Sequence, residues 1–326
     1  MIKQVDEQPE GKKDLFYIVA WGMVLLISST LWMLFGWFSF FFPLIVFVYI
    51  QKLGWRNTNK HIFAALPLAL LAGFLTKSAE SIIFTALFIP AGYIIAHSAQ
   101  NKEKPWRAGL KAWLALCGLF FIFFSVLSSN SDISFFQAIT NAIDTGIDEA
   151  LKQYSQNSTL SAENYAILES TLLRVKQTAP LIFPAIFGSI FMLVVWTAIA
   201  AGNAVLPRLG CRQPWPDYKF WRLPEQLIWA FILFGLISAF GQGFFQKAGI
   251  NCIIIIALIY SFQGLAIVVF YLDKLNVPKF IRAVIYIMII LQSFGSILLT
   301  VAGIADVWFD IRRIDQRKNN RKSDAD

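Results

Sequence analysis

Two amides sit deep inside apolar runs: Gln263 within 250–272 and Gln292 within 280–304. A polar side chain in hydrocarbon is costly and marks a function or a helix–helix hydrogen bond. At 1.5 Å per residue both lie roughly 13–18 Å from the basic end of their runs, so they are expected at similar depth. Tyr260, Ser261 and Ser293 add hydroxyls beside them. Gln263, Gln292, Tyr260 and Ser293 are therefore the candidate lining of a polar solute's pocket. The competing reading is interhelical bonding worth ~0.6–2 kcal/mol per contact.

A second constellation closes the last apolar run. GIADVWFDIRR (303–313) puts Asp306 and Asp310 four residues apart, on one face if the helix continues, with Arg313 three further on. Pairing with a basic residue such as Arg222 is expected, with Trp308 anchoring the interface. The two histidines, His61 and His97, both fall near the inner ends of their segments but lack further metal ligands. Cys117, Cys211 and Cys252 show no CxxC or Cys/His spacing, so they read as packing residues or free thiols. No P-loop, HExxH or GxSxG occurs, and Gly241-Gln-Gly243 lacks the third glycine of a dinucleotide fingerprint. No catalytic residue, metal or cofactor is expected, and the chain does not read as an enzyme.

What positions these residues follows from composition. Of 326 residues 57% are hydrophobic and only 15% charged, against ~25% charged in soluble domains. So few charges cannot cover a water-facing surface. The net charge of +8 fits cytoplasmic loops and lipid headgroups better than nucleic acid. A ~30 Å hydrocarbon core needs about 20 apolar residues per helix. On that ruler nine segments qualify: roughly 15–34, 37–52, 61–76, 79–98, 109–128, 179–202, 225–245, 250–272 and 280–304. Pro67, Pro90, Pro180 and Pro184 are expected to interrupt three of them. Ala65, Ala69 and Gly73, like Gly235, Ala239 and Gly243, form small-residue stripes for close packing.

The fold class is an all-α, polytopic transmembrane bundle of about nine hydrophobic helices with an extramembrane amphipathic helical hairpin. Residues 1–14 form a polar cytoplasmic lead and 15–128 membrane helices one to five. Residues 129–178 form the extracytoplasmic hairpin. Membrane helices six to nine span 179–304, with a cytoplasmic loop at 203–224, and 305–326 is a basic tail. Lys and Arg gather in alternate short loops, which places the N-terminus in the cytoplasm. Nine crossings put the tail outside, where its Arg312, Arg313, Arg317, Lys318, Arg321 and Lys322 break that rule. A re-entrant segment, the short second one or the last, would remove the conflict. In the hairpin, Phe135, Ile139, Ile143, Ile147 and Leu151 form an apolar stripe opposite Asp144, Asp148 and Lys152. The loop 203–224 carries four prolines among Trp215, Tyr218, Phe220 and Trp221 and suits an anionic leaflet. Trp221, Arg222, Trp229, Trp308, Asp306 and Asp310 are its expected interface and lipid anchors.

WRLPEQLIW (221–229), YSFQG (260–264) and GIADVWFDIRR (303–313) resemble the YybS-like family of uncharacterised bacterial membrane proteins. That family is distantly similar to substrate-binding (S) components of energy-coupling-factor transporters. The resemblance implies a bacterial inner-membrane protein that binds a small solute and needs a separate energising subunit. The alternative is a non-transporting scaffold or assembly factor that docks protein partners through loop 203–224 and the basic tail.

Overall fold

The computed structural model describes residues 10–129, 133–155 and 161–314, with the backbone alone for 10–13, 290 and 293. Most of the polar lead, the link between the hairpin arms and the tail cations Arg317, Lys318, Arg321 and Lys322 lie outside the described residues. Every regular element among them is helical. In order they are α1 (Glu10–Thr30), α2 (Trp32–Phe35), α3 (Phe42–Leu75), α4 (Ala79–Ala86), α5 (Ile89–Gln100) and α6 (Pro105–Ser129). Then come α7 (Phe135–Ser155), α8 (Ala162–Val205), α9 (Leu227–Phe240), α10 (Gly243–Lys274), α11 (Lys279–Leu291) and α12 (Ser293–Phe309).

Five of these stretches are long and apolar enough to cross a membrane: Trp32–Leu75, Ala79–Gln100, Pro105–Ser129, Ala162–Leu209 and Gly243–Lys274. A sixth arises if the pair α11–α12, bent by 101°, is one span. α1 and α9 are apolar but shorter. The chain is a polytopic helical membrane protein, and nine separate segments overcount its long helices. Runs 37–52 and 61–76 belong largely to one helix, α3, which kinks at Gly54 (φ 78°, ψ 167°), a backbone conformation open to glycine. Asn57 Nδ2 and Thr58 Oγ1 donate to the carbonyls of Leu53 (3.3 Å) and Gly54 (2.8 Å) at that break.

Of the four prolines only Pro90 coincides with an expected interruption, segment 79–98 dividing into α4 and α5 at residues 87–88. Pro67, Pro180 and Pro184 lie inside α3 and α8, and Pro90 opens α5, where its missing N–H is no loss. Further breaks fall at Gly241–Gln242 and at Gln292, where the backbone is extended. The hairpin boundary at 178 also differs, because α8 runs unbroken through it for 44 residues. Its first turns pair with α7 through Lys176 and Asp148 (2.9 Å).

The described residues gather into two compact units, 10–120 with 191–217, and 121–190 with 218–314. In the first, Ala65 and Ala69 are fully buried and a Cβ at Gly73 would meet Ile82 at 2.3 Å, so this small-residue stripe seats α3 on α4. In the second, α10 and α12 cross at Gly264 and Gly303. A Cβ at Gly264 would lie 2.0 Å from the Leu299 carbonyl oxygen, and one at Gly303 2.1 Å from that of Tyr260. Only glycine on both helices lets backbones approach so closely.

Candidate functional site

The crossing at Gly264 and Gly303 brings Gln263 and Asp306 together. Gln263 is buried, and its Nε2 donates to Asp306 Oδ2 at 3.0 Å. Its Oε1 accepts from the backbone N–H of Leu223 at 3.0 Å. Both ends of the amide are occupied by the protein itself.

Helix α12 stops at Phe309 because Asp310 turns left-handed (φ 39°, ψ 54°), a conformation that Asp tolerates. The turn carries Arg312 back to Asp306. Arg312 Nη2 lies 2.7 Å and Nε 3.3 Å from Asp306 Oδ2, and both side chains are fully buried. Nη1 donates to the Lys219 carbonyl (2.7 Å) and Nη2 to that of Trp221 (2.9 Å). One guanidinium thus neutralises a buried carboxylate and closes the backbone of 219–221. Asp306 Oδ1 has no hydrogen-bond partner among the described residues.

The expected helical extension through Arg313 is therefore absent, and the buried partner of Asp306 is Arg312. Arg222 does pair in this cluster, with Asp310 at 3.7 Å, and its Nη2 approaches the Asp306 carbonyl at 3.5 Å. Around the pair, Tyr218 donates to the Phe262 carbonyl. Lys219 pairs with Asp273, which also takes Arg282 at 3.1 Å. Tyr271 donates to the Ile311 carbonyl at 3.0 Å. Lys219 is therefore linked to both ends of the bent pair α11–α12: through Asp273 of α10 to Arg282 in the first turn of α11, and through its own carbonyl to Arg312, three residues past the end of α12.

The other sequence candidates scatter. Gln292 is exposed and stands at the start of α12, fourteen residues or about 21 Å along that helix from Asp306. The structure does not join it to Gln263. The Ser293 side chain lies outside the described residues. Tyr260 is fully buried against Ile228, Ile256 and Phe231, and its hydroxyl has no partner among the described residues. Trp221 stacks edge-on against Tyr218 at 5.3 Å. Trp229 and Trp308 are 71% and 64% exposed, as residues facing lipid would be.

The histidines do not meet either. His61 is buried between Asp14 (2.9 Å) and Tyr49 (3.1 Å), whereas His97 bonds Asn101 (3.0 Å). No group of three His, Cys, Asp or Glu suited to a metal occurs among the described residues. In the first unit, Asn203 folds the start of loop 203–224. It takes the Trp215 N–H (3.1 Å) and donates to the Trp215 and Pro216 carbonyls (3.1 and 3.2 Å). Trp215 in turn donates its indole N–H to the Glu103 carbonyl at 2.7 Å. The Lys111 ammonium, with help from Ser98, holds the Glu103 carboxyl below its usual range.

A family model described as "Predicted membrane protein (DUF2232)" matches residues 21–307. The chain belongs to that family. No curated protein and no solved structure matches it. Within the DUF2232 match lie Gln263, the Gly264–Gly303 crossing and Asp306, while Arg312 falls five residues beyond its end. Sequence reasoning missed Arg312 because it assumed a continuing helix. An arginine six residues after an intramembrane aspartate was the signal available.

Proposed function

We propose that this DUF2232 protein is a multi-pass protein of the bacterial cytoplasmic membrane, N-terminus inside, that works as a docking scaffold. It holds protein partners through loop 203–224 and the basic tail, and it acts by binding and not by catalysis. One observation carries the choice over transport: Gln263, the buried one of the two candidate amides, is hydrogen-bonded at both ends within the protein. Its partners fix the backbone of the segment that follows the loop's aromatic residues. A segment with its carbonyls closed by Arg312 offers a pre-ordered surface, which reduces the cost of binding.

The likeness to YybS-like proteins, and through them to S components of energy-coupling-factor transporters, supports the rival reading. There the protein binds a small solute and depends on a separate energising subunit. Its solute would need a site other than Gln263, and the exposed amide of Gln292 at a helix break is the specific feature in its favour.

Photo-crosslinking from Arg212 and Phe220 in living cells, followed by purification in mild detergent, separates the two. The scaffold reading expects one recurrent protein adduct at both positions and no stoichiometric small molecule other than lipid. A stoichiometric solute whose retention is lost in Gln292→Leu, with the melting temperature unchanged, overturns it.

A further inference from the structure

In the first unit an apolar groove of about 330 Å³ opens beside α3, within the ~300–1,000 Å³ range of small-molecule sites. Leu44, Val48, Leu53, Val205 and Leu209 line it, and Lys52, itself exposed, is the cation among its lining residues. We propose that this groove holds one acyl chain of an acidic phospholipid, with the lipid phosphate on the Lys52 ammonium.

Three observations on the residues around the groove support that occupant. The nearby cation Lys60 is already paired with Asp14, while Lys52 has no ion-pair partner among the described residues. An exposed ammonium beside an apolar trough matches an amphiphile with an anionic head. The groove also has a fixed wall. Tyr49 is held by His61 Nδ1 at 3.1 Å, His61 by Asp14 at 2.9 Å, and the Tyr17 ring lies 5.2 Å from the His61 ring. Tyr17 and Tyr49 both line the groove, so its shape is set by a part-buried polar chain, centred on the buried His61, that the docking proposal does not use. Lys52 lies two residues before the Gly54 kink, and the carbonyls freed there are taken by Asn57 and Thr58.

The test is lipid retention by the full chain in mild detergent, read by native mass spectrometry. The probes are dioleoyl phosphatidylglycerol and dioleoyl phosphatidylcholine at equal concentration. One bound phosphatidylglycerol should be retained about five-fold over phosphatidylcholine, the ratio that one lysine near an anionic headgroup supplies. Lys52→Glu should bring the ratio to about one, with Lys52→Gln intermediate and Lys247→Glu, in the other unit, without effect. Leu209→Trp, which fills the groove from its exposed rim, should reduce retention of both lipids. Equal retention by the unaltered protein overturns the site. So does a preference that survives Lys52→Glu, or Leu209→Trp retaining lipid as before.

Discussion

Arg312 reaches back six residues to set its guanidinium 2.7 Å from the Asp306 carboxylate, with neither side chain exposed to solvent. Removing one partner of such a pair leaves a buried charge uncompensated, whereas replacing both with apolar groups can be nearly neutral. Arg312→Met should therefore cost about 3–5 kcal/mol of stability. It also strands the carbonyls of Lys219 and Trp221. Asp306→Leu combined with Arg312→Met should recover part of that loss, and melting of the single and double variants in detergent measures the coupling. Additive single effects would mean that the two charges do not depend on each other.

Gln263→Leu is expected to destabilise by about 1–3 kcal/mol, because it leaves the Leu223 N–H buried without an acceptor. A pocket amide would behave otherwise, with stability kept and a ligand lost. Gln292→Leu should leave the melting temperature within a degree or so, since that side chain is exposed and at the other end of α12.

Gly264→Ala and Gly303→Ala each drive a methyl into a backbone carbonyl at 2.0 and 2.1 Å. Each should cost about 1–3 kcal/mol by overpacking. Gly118→Ala is the control, because nothing lies within 4 Å of a Cβ there. It should gain up to about 1 kcal/mol from helix propensity. Equal melting temperatures for all three variants would show that α10 and α12 are not so close.

The Lys219 carbonyl holds Arg312 and its side chain shares Asp273 with Arg282 of α11, so the tail is expected on the same side of the membrane as loop 203–224. Cys211, half-exposed in that loop, is a native probe once Cys117 and Cys252 are replaced by serine. In intact cells an impermeant maleimide should either miss both Cys211 and a cysteine placed at Ser323 or reach both. Labelling at one position alone would make α11–α12 a crossing. A cytoplasmic result for both would bring the tail's basic residues into line with the charge rule.

The helical, membrane-spanning character was legible because runs such as 250–272 leave no other use for so many apolar residues. The breaks were not. Inside a uniformly apolar run the periodicity that betrays a helix end is lost, so Gln242 and Gln292 passed as interior positions. The prolines misled in the opposite sense, since α3 and α8 absorb Pro67, Pro180 and Pro184 without ending. The Gly264–Gly303 contact escaped because neither glycine has a small residue four positions away on its own helix; Tyr260 and Val268, and Leu299 and Val307, occupy those positions. Gln263 was visible as a costly residue, but its partner Asp306 depended on the α10–α12 crossing, and the return of Arg312 to that carboxylate on a left-handed turn at Asp310 that spacing arguments cannot foresee.

The clasp of Arg312 on loop 219–221 also imposes a timetable on biogenesis. Arg312 follows Trp221 by 91 residues. At about 5–20 residues per second of synthesis, the loop's carbonyls wait roughly 5–20 s for their donor. Asp306 emerges six residues ahead of its counter-charge, an interval of about a second or less. The carboxylate must cross that interval in water or in the insertion machinery, and the loop cannot set before the helix that ends in Phe309 has been made.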